Sequence, residues 1–563
     1  MNKRGYEVED DAKDFRQQLA SDEGLLSGEG AFDKSSGDLE PEMMTMSIDE
    51  IAHSVSGIVD FDNGHKVSSV TTDSRTAGQG SLFVAIPGTR VDGHDFVSVA
   101  ARQGAVAALV EHKVADTDIT QIVVDDTVRA LGMLARHNID RRRELPDPFT
   151  IIGITGSVGK TTTKDLLFSL LSRLGNTISP VGSFNNEIGL PLTALKVHAS
   201  TRFFTAEMGA SHIGDIDYLT KIAPPDISIA LIVGIAHLGE FGSVDNIAIA
   251  KSEIIQNLLP GGISVLNADD PRVSAMRRYA PGKILWFGEN GSQLPAGSHL
   301  NMYATGIHTD DLDHPRFLMH AHDELPTAND ANSVKEDTHQ VTLGIRGTHN
   351  VMNALAASAV AHELGLSLPD IADVLGKQER ISPHRMAVSK VAGKESSFTL
   401  IDDSFNANPN SVAAGVQGLA DWGANQRTPP YRVAVLGAML ELGADEKRLH
   451  ADIGALCARQ HIDQLIAVGG NEQLNALAHD IVDGAEAAAA AEHGDDMTTP
   501  ADNTDGNKAM ISSCASNIDE ADAMVAQISA EHPHTVVLLK GSHASGLSTL
   551  ADRWNATPKA QQS

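Results

Sequence analysis

The run Thr150-Ile151-Ile152-Gly153-Ile154-Thr155 is apolar enough for a buried strand. It passes directly into Gly156-Ser157-Val158-Gly159-Lys160-Thr161-Thr162 and then into a helical pattern. A strand, a glycine-bearing turn and a helix in that order constrain this chain more than any other stretch. The glycines let the backbone curl so that its N–H groups point inward, and the helix N-terminus adds partial positive charge. Lys160 is then positioned to bridge the β- and γ-phosphates of a nucleoside triphosphate, and the Thr161 hydroxyl to ligate Mg²⁺. Gly156, Ser157, Val158, Gly159, Lys160, Thr161 and Thr162 are therefore the expected ATP cradle. The general nucleotide loop has its first glycine five positions before Gly159, where Ile154 stands here; the spacing is T-G-x-x-G-K-T-T.

Other short apolar runs precede turns at 202–210, 227–235, 263–270 and 283–288, and the pattern restarts at 398–404, 431–439, 463–470 and 534–542. Helical stretches separate several of them. Strands alternating with helices predict an α/β chain with two parallel sheets covered on both faces. The expected divisions are a disordered acidic tail (1–43), a small mixed domain (44–146) ending at Pro146-Asp147-Pro148, a central domain (147–380), and a C-terminal domain (381–563). The C-terminal domain carries a low-complexity insertion near 485–517, read as a surface loop. Residues 310–338 also read as a loop. Histidines 308, 314, 320 and 322 in and beside it have no spacing that suits a metal, so they are expected to be solvated.

Composition narrows the function. Among 563 residues, 74 acidic against 43 basic side chains give a net charge of −31, which argues against nucleic acid or anionic membrane as partner. No apolar run is long enough for membrane insertion. With only Cys457 and Cys514 and no signal peptide, the expected location is the cytoplasm.

The loop variant resembles that of the Mur ligases and folylpolyglutamate synthetases, which are ATP-dependent amide-bond ligases. Further landmarks follow in that family's order. Asp73-Ser74-Arg75, the run 82–88 and Asp92-Gly93-His94 resemble the module that holds a UDP-sugar substrate. Ala206-Glu207-Met208-Gly209 and Ala236-His237-Leu238 resemble metal-binding strand ends. Ala250-Lys251-Ser252-Glu253 resembles a segment whose lysine becomes carbamylated. The run 349–357 is similar to the stretch that closes the central domain near the nucleotide. In the C-terminal part, the runs 402–409 and 439–443 and Lys540-Gly541-Ser542 resemble the branch of the family whose acceptor is D-Ala-D-Ala. The acceptor signature Asp-Asn-Pro-Arg of another branch is absent; Asp269-Asp270-Pro271-Arg272 is superficially close and is read as structural.

The resemblance implies a three-domain Mur ligase architecture: a small mixed N-terminal domain, a central P-loop ATPase-like parallel-sheet domain and a C-terminal Rossmann-like domain. It implies an ADP-forming ligase that adds D-Ala-D-Ala to UDP-N-acetylmuramoyl-tripeptide through an acyl phosphate in peptidoglycan precursor synthesis. The enzyme would act as a monomer with ATP and two Mg²⁺ ions. Another family ligase with a different acceptor amine, and a nucleotide-binding regulatory protein that has lost ligation, are the rival readings.

The same resemblance distributes roles. Lys160, Glu207, His237, Lys251 and Arg385 are the expected catalytic set, with Thr161, Glu207, His237 and carbamylated Lys251 as metal ligands. Arg385 would reach the γ-phosphate and Asp403 the ribose. Asn350 and Asn353 would contact adenine or face a helix surface. Ser74 and Arg75 would contact UDP, with an internal ion pair as the alternative for Arg75. Asn185 and Asn186 would meet nucleotide or substrate, or cap a turn; Asn406 and Asn408 complete the substrate set. Unmodified, Lys251 would pair with phosphate or with Glu253, while Glu207 and His237 have bland rivals as a strand end and a core histidine.

Overall fold

In the computed structural model of the protein, the described residues are 43–59, 64–88, 91–235, 238–291, 294–296, 298–310, 313–327, 330–379, 382–392, 397–424, 426–493 and 510–556; side chains are not described at 323–327, 330–335 and 492–493. The expected acidic tail lies outside them except for Met43, which is not tail at all but 1% exposed and part of the core.

Three main sheets follow one another along the chain. The first has five strands in the order Ile58–Val59, Thr120–Val123, Ala107–Val110, Ser81–Val84 and Ser69–Thr71, parallel except at Ile58–Val59. The second has nine strands. Its parallel body runs Met302–Thr309, Ile284–Gly288, Ile263–Asn267, Ile227–Ala230, Thr150–Thr155, Phe203–Glu207 and Thr177–Ile178. Five of the six strands of the third are parallel: Ser397–Asp402, Thr535–Lys540, Tyr431–Gly437, Gln464–Val468 and Ile511–Ala515. Ala387–Ala392 runs antiparallel at its edge.

Near-continuous apolar runs such as Ile151, Ile152 and Ile154 fit strands buried on both faces, and all three are 0% exposed. One core joins the first sheet to a face of the second, since Leu82, Leu109 and Leu134 belong to the same cluster as Ile151, Phe204 and Ile254. The helix Thr127–Arg143 supplies that bridge, and its Arg142 fixes the connection to the second sheet. Buried at 1% exposure, Arg142 donates to the carbonyls of Thr201, Asp147 and Pro148. The Pro-Asp-Pro linker is thus tied down, its carbonyls satisfied by a guanidinium that could not stay unpaired inside.

Strand Thr150–Thr155 lies between Phe203–Glu207 and Ile227–Ala230, with later strands adding on the Ile227–Ala230 side. The order therefore reverses around it, and a crevice opens at the carboxyl ends of these strands, where open α/β sheets bind ligands.

Two loop expectations are corrected. Residues 315–327 and 330–342 form a long antiparallel hairpin that extends the second sheet. Phe317, Met319 and Ala321 are buried in the core and alternate with the less buried Arg316, Leu318, His320 and His322, a period-two signal that the surrounding His, Asp and Asn obscured. His320 is consequently not a solvated loop residue: it stacks on Tyr303 at 4.3 Å and bonds Glu336 at 3.0 Å. The 485–517 stretch is structured at both ends, and the expected loop between them, 494–509, lies outside the described residues. Its alanine run continues the helix Glu472–His493, as alanine's helix propensity favours, and Ile511–Ala515 pairs as an edge strand.

Candidate functional site

At the head of strand Thr150–Thr155 the chain turns into the helix Lys160–Leu171 through Gly159, whose φ of 84° is a left-handed value open to glycine. A side chain there would also collide with Asn353, whose Oδ1 lies 2.3 Å from the position a Cβ would take. Asn353 in turn accepts from the Thr163 hydroxyl at 3.3 Å and donates to Asn350 Oδ1 at 2.9 Å. These two asparagines brace the loop from the helix Asn350–Glu363 and lie at the wall of the same cavity.

Lys160 is part-buried and donates to the Gly156 carbonyl at 2.8 Å. Burial holds its pKa below the usual lysine range; Glu207 opposes that shift and Arg385 adds to it. The Thr161 hydroxyl meets Ser183 Oγ at 2.9 Å, and Arg385 Nη2 donates to the same oxygen at 2.9 Å. Ser183 was missed in the sequence, although it immediately precedes Phe184-Asn185-Asn186. The Arg385 guanidinium carbon lies 4.3 Å from the Phe405 ring centroid, and its buried Nε has no hydrogen-bond partner.

Glu207 ends its strand at 1% exposure. Asn185 Nδ2 donates to its Oε1 at 2.8 Å, while Oε2 is buried with no hydrogen-bond partner among the described residues. A carboxylate oxygen taken out of water and left unpaired is costly unless a cation or donor completes it. Among the described residues no group of three or more His, Cys, Asp or Glu is arranged to hold a metal ion. Mg²⁺ does not need such a cage: it commonly takes one or two protein oxygens and fills its shell with phosphate and water. The Glu207 oxygen and the Thr161 hydroxyl fit that requirement. His237 lies outside the described residues.

Lys251 is 3% exposed on the helix Val244–Gln256. Its pKa is pushed well below the ordinary lysine value, first by burial and then by the charge of Lys160. The alternative pairing with Glu253 does not occur. Glu253 instead accepts from the Gly214 N–H at 2.7 Å and the Asp217 N–H at 2.9 Å, capping the helix Asp215–Ile222.

In the third sheet's domain, Asp403 forms an ion pair with the buried Lys540, which also donates to the Asn406 carbonyl at 3.2 Å. Two asparagines of the expected substrate set line the cavity and also hold local backbone, Asn186 in the turn-capping role that was its stated alternative. Asn186 Oδ1 accepts from the Gly189 N–H at 2.9 Å, and Asn408 Oδ1 accepts from the Ser411 N–H at 3.0 Å in a capping box. Both side-chain oxygens serve helix N-termini, as asparagine does well. Arg75 forms a two-pronged ion pair with Asp73 at 2.9–3.0 Å, and it also lines the cavity. Asp270 is structural as expected, accepting from the N–H groups of Arg272 and Val273 at the start of a short helix.

Lys160, Thr161, Ser183, Glu207, Arg385 and Asp403 open onto one cavity of about 2720 Å³, whereas Lys251, Glu253 and Asp270 do not line it. Arg75 and Arg129 line it from the first sheet's side, Lys160 and Glu207 from the second, Asp403 and Lys540 from the third. A site for a single small molecule occupies roughly 300–1,000 Å³, so this one has room for several ligands at once.

Comparison with known proteins gives consistent results across the chain. Residues 154–361 match the Mur ligase middle domain, 384–543 the Mur ligase glutamate ligase domain, and 66–138 the Mur ligase family catalytic domain. The UDP-N-acetylmuramoyl-tripeptide–D-alanyl-D-alanine ligase of Mycobacterium tuberculosis H37Rv is 38% identical over 91% of this chain and 98% of its own. The Escherichia coli K12 ligase of the same description is 33% identical over 74% and 86%. Among solved structures, MurF from Acinetobacter baumannii superposes with a TM-score of 0.72 at 30% identity, covering 91% of this chain and 99% of that one. MurF from Thermotoga maritima in complex with ADP gives 0.65 at 27%, covering 86% and 96%.

Proposed function

The chain belongs to the Mur ligase family, and we propose that it joins D-alanyl-D-alanine to UDP-N-acetylmuramoyl-tripeptide while converting ATP to ADP and phosphate. It is an ATP-dependent, ADP-forming amide ligase of peptidoglycan precursor synthesis. The observation that carries this reading is the single cavity in which the nucleotide loop, the half-satisfied Glu207 carboxylate and side chains of both flanking domains converge.

A carboxylate oxygen is a poor leaving group. The terminal carboxylate of the tripeptide therefore attacks the γ-phosphorus, ADP departs, and an acyl phosphate results. The dipeptide amine then attacks the acyl carbon, and inorganic phosphate leaves with the former carboxylate oxygen. The first step brings two anions together, so the site must cancel charge as well as align the reactants. Lys160 and Arg385 supply fixed positive charge, with Arg385 positioned by Ser183 and Phe405. Thr161 and Glu207, with His237 and a carbamylated Lys251, would hold Mg²⁺, two ions in all, which when bound neutralise the phosphate charge. Asp403, held by Lys540, would accept from the ribose hydroxyls. The enzyme would work in the cytoplasm, where ATP is available, as a monomer. Among the described residues no helix is long and apolar enough to cross a membrane.

Phosphate release measured with the UDP-tripeptide while the acceptor is varied tests the assignment. Release with D-Ala-D-Ala alone is expected; preference for a single amino acid would move the chain to another branch, and no release would leave it a nucleotide-binding regulator.

Water must be kept from the acyl phosphate, which calls for closure of the third domain over the site. The Gly239 N–H donates to the Glu441 carbonyl at 3.0 Å, and a Cβ on Gly239 would lie 2.8 Å from the Gly443 nitrogen. Gly239→Val is accordingly expected to hold the domains apart. Turnover should fall about tenfold or more with ATP affinity little changed. Small-angle scattering with ATP and UDP-tripeptide should show compaction of the unmodified protein but not of the variant; equal compaction would remove this contact from closure.

A further inference from the structure

The junction between the second and third domains has a construction that the ligation chemistry does not by itself require. His384 and Met386, neither of them glycine, both adopt left-handed backbone conformations, with φ of 58° and 50°, and Arg385 stands between them. Such conformations persist where the surroundings over-determine them. On the second domain's side, Ser382 anchors the segment to the nucleotide helix: its N–H and hydroxyl both donate to Asp165 Oδ2, at 2.8 and 2.7 Å. On the third domain's side, His384 Nδ1 meets Asp402 Oδ2 at 2.9 Å, with side-chain exposures of 9% and 4%. The other Asp402 oxygen accepts from the Ser404 hydroxyl at 2.6 Å, and Ser404 is bonded in turn to Ser548. The Phe405 N–H donates to the His384 carbonyl at 3.1 Å, and Phe405 is the ring on which Arg385 rests.

We infer that His384 is a positioning residue: its buried bond to Asp402 fixes the strained turn that aims Arg385 at the terminal phosphate of ATP. With Asp402 ionised, His384 must donate from Nδ1, which orients the ring. Its Nε2 lies 3.6 Å from a carboxylate oxygen of the more exposed Asp552. The inference rests on the reading of Arg385 as the group that meets the γ-phosphate.

ATP and ADP differ by that phosphate, so their affinity ratio reports where Arg385 points. Calorimetric titration of ATP and ADP with His384→Ala, His384→Asn, Asp402→Asn and Arg385→Ala tests the proposal. His384→Ala and Arg385→Ala should each lower the preference for ATP over ADP by about tenfold, the scale of one lost charge-assisted hydrogen bond. ADP affinity should change little. His384→Asn should restore most of the preference, because asparagine tolerates the left-handed backbone and its Nδ2 takes the place of Nδ1. Asp402→Asn keeps side-chain volume and tests the other partner should the alanine variant fail to fold. Loss of ADP affinity in parallel with ATP, or loss that His384→Asn does not repair, would indicate a merely structural role and overturn the inference. If Arg385→Ala loses the preference while His384→Ala and Asp402→Asn keep it, His384 does not position Arg385. If Arg385→Ala itself keeps the preference, the reading of Arg385 fails instead.

Discussion

Lys160→Ala is expected to lower kcat by about 1,000-fold or more, the scale of removing a preorganised charge from a water-excluded site. The ammonium is part-buried and, among the described residues, its one protein hydrogen bond is to the Gly156 carbonyl, so it lies at the loop with its charge directed to whatever fills the cradle. Burial lowers its pKa, which means the folded protein disfavours the charged form relative to water. Deleting that charge relieves a desolvation cost, so thermal unfolding should not move to lower temperature by more than a few degrees. Loss of phosphate release in a single turnover, beside an unchanged melt, is the expected pair of results. Retained turnover would remove Lys160 from the chemistry.

Legibility in the sequence followed the range of the interactions. The nucleotide loop was readable because everything it needs is local: an apolar strand, glycine where φ is positive, and a helix start. Glu207 was readable because a carboxylate directly after an apolar strand falls at the end of the sheet where ligands bind. Residues 315–338 were misread as loop because polar side chains on the outer face dominated the composition, although Phe317, Met319 and Ala321 kept the alternation of a strand. The asparagines show the limit of residue type as a guide. Asn185, Asn186, Asn353 and Asn408 are all near the cavity, but Asn185 holds Glu207, Asn353 braces the loop, and the other two cap helices. An amide can do any of these things, and only the neighbours brought by folding decide among them. Ser183 meets Arg385 across the domain junction and His384 meets Asp402 within the third domain, and no spacing along the chain encodes either contact.

Lys251→Ala should be nearly as damaging as loss of Lys160, and removal of CO₂ from the unmodified enzyme should have the same direction of effect. An ammonium has three donors and no acceptor, so lysine as such cannot ligate Mg²⁺. Carbamylation occurs when the free amine's lone pair attacks CO₂, forming an N–C bond and releasing a proton, and it leaves an anion with two oxygens of the kind Mg²⁺ prefers. The environment of Lys251 favours that reaction twice over. Burial and the neighbouring Lys160 charge lower its pKa, which leaves more of the amine in the reactive neutral form near neutral pH. The product's negative charge then replaces repulsion with attraction toward Lys160. Activity should accordingly fall as pH drops through the depressed pKa, because protonation competes with CO₂ for the nitrogen. In buffer stripped of CO₂, turnover should decline and return on adding bicarbonate. Lys251→Arg, which stays charged, should remain inactive under both conditions. Indifference of the unmodified enzyme to bicarbonate, together with full activity in Lys251→Ala, would show that the buried amine plays no part in holding the metal.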